Sequence, residues 1–420
     1  MTTLTASSSP RVDPGFAVAA TLVAVTLFLV GWGLLHRGFF AHEQIVDTPT
    51  YQRYGSAIVD GELPYRDFAL EYPPGALPVF ALPALGDPGS ETFRVRFEAL
   101  MAVLGQATIV FVAIALVALG ASRRRLLVAL GFVALAPIAL GPVVLSRFDL
   151  WPAALTAAAL CALVTGRFRL GHLALGAAVT AKLYPVVLAP LTVVYVWRRQ
   201  GRREALLCAG LMVAVVGLIF APFVALAPGG FRDSLWNQLS RPLQIESLGS
   251  GVLLVAHHLF DVGLTVESSH GSQNLAGTTP DVVAVGLTVL QLAALLATWI
   301  LFARGPASRS RLLYASAAVL VAFVSLGKVL SPQFLVWLIP VIPLVAGRRG
   351  LAASALLAAA LVLTQLWFPY RYWELAAQLG TLESWLVLVR DLVLVALLVV
   401  LARGLLLDRE PERLAAGGTP

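Results

Sequence analysis

The chain of 420 residues is 59% hydrophobic and only 13% charged, which excludes an ordinary soluble domain, where about a quarter of residues are charged. No soluble core of this length could bury so much apolar surface, so most of the chain is expected to lie in lipid. The net charge of +7 does not indicate a nucleic-acid partner, because the basic residues form short runs between apolar segments rather than one basic domain.

The apolar segments predict an all-α, polytopic transmembrane helical bundle with about 12 crossings, since roughly 20 helical residues span a bilayer core. The first run, Phe16 to Leu35, is longer than the core of a signal peptide and is interpreted as a transmembrane helix. Residues 171–182 and 184–197 are too short to cross alone, so we expect tilted helices or a re-entrant hairpin. The candidate spans are 16–35, 96–119, 126–144, 149–165, 171–182, 184–197, 205–226, 281–303, 312–327, 331–346, 351–368 and 385–402.

The distribution of charge predicts the orientation of these spans. With the N-terminus inside, the inner segments hold 18 of the 30 basic residues but only 5 of the 23 acidic ones, as the positive-inside rule requires. Residues 1–15 and 404–420 are therefore predicted to be cytosolic tails, and 16–403 a transmembrane domain. The inner basic residues are Arg11, Arg123, Arg124, Arg125, Arg167, Arg169, Arg198, Arg199, Arg202, Arg203, Arg304, Arg309, Arg311, Arg348, Arg349, Arg403, Arg409 and Arg413.

Two long loops are predicted on the outer side, at about 36–95 and 227–280. In the first, residues 49–60 favour a short interfacial helix, whereas the apolar stretch Ala76–Leu85 is too short to span and is expected to lie on the membrane or dip into it. The second loop carries an amphipathic stretch near Phe231–Leu239. Because the inner loops are too short to hold a site, function is expected to face outward.

Asp47 stands about a dozen residues after the first span, in the run Val46-Asp47-Thr48-Pro49. A carboxylate near the outer membrane surface can act as a general base on a hydroxyl group. The same run is also a good helix start, in which Asp47 would only cap a helix. Both interpretations remain open from the residues alone.

Charges and aromatic rings alternate in the first outer loop at Tyr65, Arg66, Asp67, Glu71 and Tyr72. Aromatic faces stack on sugar rings, so this pattern suits the rim of a sugar or acceptor site. The alternative is a solvated loop held together by an Arg–Asp ion pair.

Further along, Arg147 and Asp149 flank Phe148 at an outer helix boundary, where charges are either functional or paired with each other. Lys182 and Lys328 are the only lysines in the sequence, and both fall at outer helix ends. Lysines there could simply snorkel to the interface, yet two lone lysines on the outer side also suit an anionic lipid phosphate.

The sequence offers no metal or cofactor motif. His257 and His258 are adjacent, so on a helix they point in different directions and make a poor metal pair. Cys161 and Cys208 lie in apolar runs without a CxxC partner and are interpreted as packing residues. There is no P-loop, nucleophile elbow or dinucleotide fingerprint.

Taken together, these segments resemble glycosyltransferase family 87, a family of the C-type (GT-C) membrane glycosyltransferases. Each motif is weak alone, but several occur in the same order as in the family. The segments that carry the resemblance are Asp47 to Tyr51, Asp60 to Phe68, Glu71 to Pro74, Arg147 to Ala153, Ala181 to Pro185 and Gly327 to Phe334.

The resemblance implies an inverting mannosyltransferase that uses polyprenyl-phosphate-mannose, with Asp47 as its catalytic carboxylate. The first outer loop has no Asp-x-Asp or Asp-Asp pair, which favours a reaction without metal and without a cofactor. We expect the donor phosphate at Lys182, Lys328 and Arg147. Substrate contacts are expected at Tyr51, Tyr65, Arg66, Asp67, Glu71, Tyr72, Asp149, Tyr184 and His257.

The expected partners are a polyprenyl-phosphate sugar donor, a glycolipid or glycan acceptor and membrane lipids, in the cytoplasmic membrane of a bacterium. The motifs leave the sugar and the acceptor open. Two rival classes remain: a secondary transporter, and a non-catalytic protein that handles lipids. Transporters tend to carry acidic residues at mid-span and inverted repeats, whereas the polar residues here crowd one face.

Overall fold

The computed structural model describes residues 12–42 and 45–407 and shows a polytopic helical bundle, as predicted. Most of the two predicted cytosolic tails, with Arg11, Arg409 and Arg413, lies outside the described residues. The α-helices are α1 (Pro14–Leu34), α2 (Thr48–Val59), α3 (Leu77–Ala84), α4 (Ser90–Ala118), α5 (Arg123–Leu140), α6 (Val143–Ser146), α7 (Leu150–Val164), α8 (Phe168–Ala181), α9 (Ala189–Gln200), α10 (Arg202–Leu226), α11 (Pro228–Leu239), α12 (Leu248–Phe260), α13 (Thr278–Ala303), α14 (Arg309–Ser325), α15 (Gly347–Trp367), α16 (Tyr372–Gln378) and α17 (Thr381–Leu407).

Six of the described helices are long and apolar enough to cross a membrane: α1, α4, α10, α13, α15 and α17. Their outer surfaces are apolar rather than polar; Leu218 on α10 is 77% exposed and Val282 on α13 is 66% exposed. Such a surface is stable against lipid and unstable against water. Shorter helices, α7 and α14 among them, are almost entirely buried inside this outer ring.

The short pair predicted at 171–197 forms two helices, α8 and α9, joined at the predicted outer tip by a 3₁₀ turn over Tyr184–Leu188. The span predicted at 331–346 is not an α-helix. It consists of two 3₁₀ segments, Pro332–Trp337 and Ile342–Leu344, buried among the surrounding helices. Its prolines lack the N–H group that an α-helix needs and clash with the preceding turn, which explains the departure.

The all-α prediction also omitted a small antiparallel sheet within the second outer loop. It contains β1 (Leu243–Gln244), β2 (Thr265–Ser269) and β3 (Ser272–Ala276), in the spatial order β1-β3-β2. The β2–β3 turn is made by His270 and Gly271, both with positive φ. This sheet fixes the chain between α11 and α12 against the bundle.

The predicted inner loops meet at the end of the bundle opposite this sheet. Arg309 donates a hydrogen bond to the carbonyl of Ala118 at 3.2 Å, and Arg125 donates to the carbonyl of Leu344 at 2.6 Å. These acceptors lie at the ends of helical segments, where carbonyl groups lack an intrahelical partner. The arginines that mark the inner side in the sequence therefore also join neighbouring loops.

Candidate active site

A cavity of about 760 Å³ opens at the end of the bundle that carries the predicted outer loops. Charged and aromatic side chains from the first outer loop, the α6–α7 connection and the 3₁₀ turn after α8 line part of it. Apolar side chains of α11, α13 and α14 line another part, among them Leu235, Leu292 and Phe323. The cavity can therefore hold a ligand with both a polar head and an apolar chain.

Asp47 precedes α2 and lines this cavity. Its backbone carbonyl accepts the first helical hydrogen bond, from Tyr51 at 3.0 Å, but its carboxylate makes no capping bond. The carboxylate instead forms an ion pair with Arg147 and accepts a hydrogen bond from the Tyr51 hydroxyl at 3.3 Å. At 31% exposure the side chain is reachable from the cavity, and the missing capping bond speaks against the helix-cap interpretation.

Packed aromatic rings hold this ion pair in place. The ring of Tyr51 stacks on Phe80 at 4.7 Å, and Tyr72 meets Phe148 edge-on at 4.8 Å. Phe148 directly follows Arg147, so the same packing fixes the backbone that presents the guanidinium. Rigid support of this kind keeps a carboxylate in one orientation.

Arg147 and Asp149 do not pair with each other, contrary to one of the alternatives above. Asp149 is only 1% exposed, and its Oδ1 accepts hydrogen bonds from Lys182 Nζ and Trp337 Nε1, both at 2.6 Å. Lys182 also lies over the ring of Phe148, with Nζ 4.8 Å from the centroid. Asp149 thus anchors Lys182 from behind the cavity wall and is not itself among the lining residues.

Lys328 and Arg241 form a second cationic group on the wall. Among the described residues, Lys328 Nζ donates only to the carbonyl of Leu239, at 3.0 Å, and Arg241 donates to the Ser272 hydroxyl at 3.0 Å. The Arg241 Nε atom is buried and finds no acceptor among the described residues. Burial lowers the pKa of Lys328, and the neighbouring Arg241 lowers it further. Two like charges held this close favour an anionic ligand.

Most of the predicted site residues meet at this cavity. Those that line it are Asp47, Tyr51, Tyr65, Glu71, Tyr72, Arg147, Lys182, Tyr184 and Lys328. Tyr184 stacks on Trp337 at 4.1 Å, and burial raises the pKa of Glu71.

Four predicted contacts do not line the cavity: Asp149, which lies behind its wall, and Arg66, Asp67 and His257. Arg66 and Asp67 form an ion pair at 2.9 Å, in which Arg66 is largely exposed, and neither lines the cavity. This pair matches the solvated-loop alternative. His257 is on α12, where its Nδ1 lies 2.7 Å from the carbonyl of Val262, also away from the cavity wall.

Sequence reasoning missed several lining residues that the second outer loop supplies, namely Arg241, Gln244, Glu246 and His270. One signal was available: apart from histidines, Arg241 and Glu246 are the only charged residues between Asp233 and Asp261. Among the described residues, no group of three His, Cys, Asp or Glu side chains could hold a metal ion.

No protein-family model matches the chain, and no curated protein matches it. Among solved structures it is similar to ArnT from Cupriavidus metallidurans in the apo state, with a TM-score of 0.47 and 16% sequence identity. The similarity covers 93% of this chain and 77% of ArnT. At this identity and TM-score it carries no information about function.

Proposed function

We propose that the chain is a GT-C membrane glycosyltransferase that moves a hexose, mannose by the family resemblance, from a polyprenyl-phosphate donor to a lipid-linked or glycan acceptor. The observation that carries the proposal is the Asp47 carboxylate, which does not cap its helix but faces a cavity that combines cations with an apolar wall. A base, a phosphate site and a lipid groove are the parts that such a transfer needs.

The donor occupies the cavity with its phosphate at the cationic side chains. Lys328 and Arg241 are the best placed, because Lys182 and Arg147 already have carboxylate partners in Asp149 and Asp47. Lys182 and Arg147 remain close enough to add positive potential as phosphate charge develops. The prenyl chain runs along the apolar wall of α11, α13 and α14 toward lipid.

In the reaction, an acceptor hydroxyl oxygen attacks C1 of the sugar from the face opposite the phosphate. The C1–O bond breaks as the new bond forms, so the anomeric centre inverts and polyprenyl phosphate leaves with both electrons. An oxygen of Asp47 takes the hydroxyl proton. Cationic side chains around the departing phosphate stabilise its charge. Arg147 and Tyr51 hold Asp47 in position for this step.

A secondary transporter is the rival that one observation favours. Arg390 and Asp391, neighbours on α17, form a fully buried ion pair at 2.7 Å inside a spanning helix. Buried intramembrane charges often mark transport pathways. Here, however, Arg390 also donates to the backbone carbonyl of Glu246 at 2.7 Å, which gives the pair a structural use.

The test measures radiolabel transfer by purified protein in proteoliposomes, from farnesyl-phosphate sugars including mannose, to octyl α-mannoside. Asp47→Asn keeps the shape of the side chain and an acceptor for Tyr51, yet turnover should fall about 100-fold or more, as expected for loss of a general base. Asp60→Asn, on an exposed residue at the end of α2, is the matched control and should retain turnover. Near-normal transfer by Asp47→Asn, or solute uptake without any transfer, would contradict the proposal.

A further inference from the structure

Glu246 lies between β1 and α12, on the wall of the cavity, and is only 2% exposed. Gln244 donates a hydrogen bond to its Oε2 atom at 2.5 Å. Its Oε1 atom accepts no hydrogen bond within the part of the chain that the structure describes. One half of this carboxyl group is therefore held by the protein, while the other half is available to a ligand.

The backbone on either side of Glu246 is fixed from several directions. Arg390 donates to the Glu246 carbonyl at 2.7 Å, and the N–H of Ile245 donates to the carbonyl of Gln273 at 3.1 Å. Gln244 in turn donates from its backbone N–H to the carbonyl of Lys328 at 3.0 Å. These bonds join α17, β3 and the Lys328 loop at one point, so Glu246 is held rigidly beside the proposed phosphate site.

Several charged and titratable groups lie near Glu246. Arg147, Arg241 and Arg390 favour its ionised form, whereas Asp391 on α17 opposes it, and Tyr372 on α16 lies nearby.

Each arginine has other partners: Arg147 pairs with Asp47, Arg390 pairs with Asp391, and Arg241 bonds to Ser272. Burial outweighs their attraction and raises the pKa of Glu246 to about 8, so the group is largely protonated at neutral pH.

We infer that Glu246 binds a substrate sugar as a neutral carboxylic acid, donating its O–H to one sugar hydroxyl and accepting from another. This inference rests on the proposed function and adds a specificity-determining residue to it. An ionised carboxylate can only accept hydrogen bonds, whereas the neutral acid offers one donor and one acceptor to adjacent hydroxyls. Arg147 pairs with Asp47 and lies close to Glu246, so a sugar bound by Glu246 would lie next to Asp47, the proposed base.

The neutral acid has a definite dependence on pH. It is present below the pKa of about 8 and is lost as pH rises through that value. Deprotonation removes the donor and adds a negative charge near Asp47. The rate of sugar transfer should therefore fall between about pH 7 and pH 9.

The test compares wild type, Glu246→Gln and Glu246→Ala in the farnesyl-phosphate-mannose assay, from pH 6 to pH 9. Glutamine keeps a hydrogen-bond donor and an acceptor and does not titrate in this range. The kcat/KM of Glu246→Gln should therefore stay within about threefold of wild type at pH 7, and it should decrease less than that of wild type between pH 7 and pH 9. Glu246→Ala should lower kcat/KM about 10-fold or more, as expected for losing one or two hydrogen bonds. Glu267→Gln, on an exposed glutamate of β2, is the control and should keep the wild-type profile.

A decrease in kcat/KM at high pH that is caused by deprotonation of Lys328 persists in Glu246→Gln. The difference between the pH profiles of wild type and Glu246→Gln therefore reports on Glu246 alone. Superimposable profiles for wild type and Glu246→Gln, or normal kcat/KM in a correctly folded Glu246→Ala, would overturn this inference and leave the proposed function standing. Absence of transfer by wild-type protein from any donor would overturn both. Thermal unfolding of each variant in detergent separates loss of binding from loss of fold.

Discussion

The two lysines, equivalent in the sequence, have different surroundings in the structure. Lys182 is held by the buried carboxylate of Asp149, whereas Lys328 has, within the described part of the chain, only the carbonyl of Leu239. Removing the first leaves a buried charge without its partner, and removing the second leaves a polar surface that water can solvate. The two alanine substitutions should therefore have different effects.

We expect Lys328→Ala to raise the KM for farnesyl-phosphate-mannose about 10- to 100-fold, the effect of about 1.5–3 kcal/mol for a hydrogen bond to a charged group. Its thermal unfolding temperature should stay close to that of wild type. Lys182→Ala should weaken donor use and also unfold at a lower temperature, because Asp149 remains buried. Differential scanning fluorimetry with donor kinetics distinguishes the two.

Arg232→Ala is the control for these variants, since the ion pair of Arg232 with Asp233 is exposed on both sides. An unchanged donor KM in both lysine variants would rule out this pair as the phosphate site. Equal losses of thermal stability would contradict the difference argued from their partners.

The sequence predicted Asp47 and the lysines because each stands out locally: one as a lone carboxylate after a span, the others by their rarity. Arg241 and Glu246 also stand out as lone charges in their segment, but this local signal does not place them at the cavity. Their place at the cavity depends on pairing between β1 and β3 and on a bond from α17, all distant along the chain. His257 lies on α12 and is not among the residues that line the cavity.

At the scale of elements, the contact between α2 and α3 sets the position of Asp47. The interfacial helix predicted at 49–60 is present as α2, and Gly55 brings it against the backbone of Phe80 on α3. A Cβ atom on Gly55 would collide with the Phe80 carbonyl oxygen and with Ala84. Local sequence patterns predict a helix such as α2. The same reasoning fails at 331–346, because apolar composition predicts a span there while the prolines of this segment lack the backbone N–H groups that an α-helix needs.

Gly55→Ala should therefore push α2 away from α3, lower the thermal unfolding temperature and reduce turnover. An overpacked contact of this type costs about 1–3 kcal/mol. Gly131→Ala is the matched control, since Gly131 lies within α5 with open space around its Cβ position, and alanine favours a helix over glycine by about 1 kcal/mol. Equal stability and activity in the two variants would show that the α2–α3 contact does not position Asp47.

For the whole molecule, the arginine-rich loops and the cavity lie at opposite ends of the bundle. The positive-inside rule assigns the arginine end to the cytosol, so the cavity is proposed to face outward. A lipid-linked donor is confined to the membrane, and its head group would then meet Asp47 at the outer interface. Reversing the orientation would place the site in the cytosol, so orientation and the location of the reaction must be tested together.

Labelling of single cysteines in intact cells tests this orientation. Ser268 on β2 is exposed and lies at the cavity end, whereas Ser272 is only 9% exposed and is a poorer labelling site. Gln200, the last residue of α9, is exposed at the arginine end. Ser268→Cys should react with an impermeant maleimide from outside, and Gln200→Cys should react only after the membrane is permeabilised. Both native cysteines are buried and unpaired, so the unsubstituted chain provides the background. If Gln200→Cys were labelled in intact cells and Ser268→Cys were protected, the site would face the cytosol, and a donor presented on the outer leaflet could not reach Asp47.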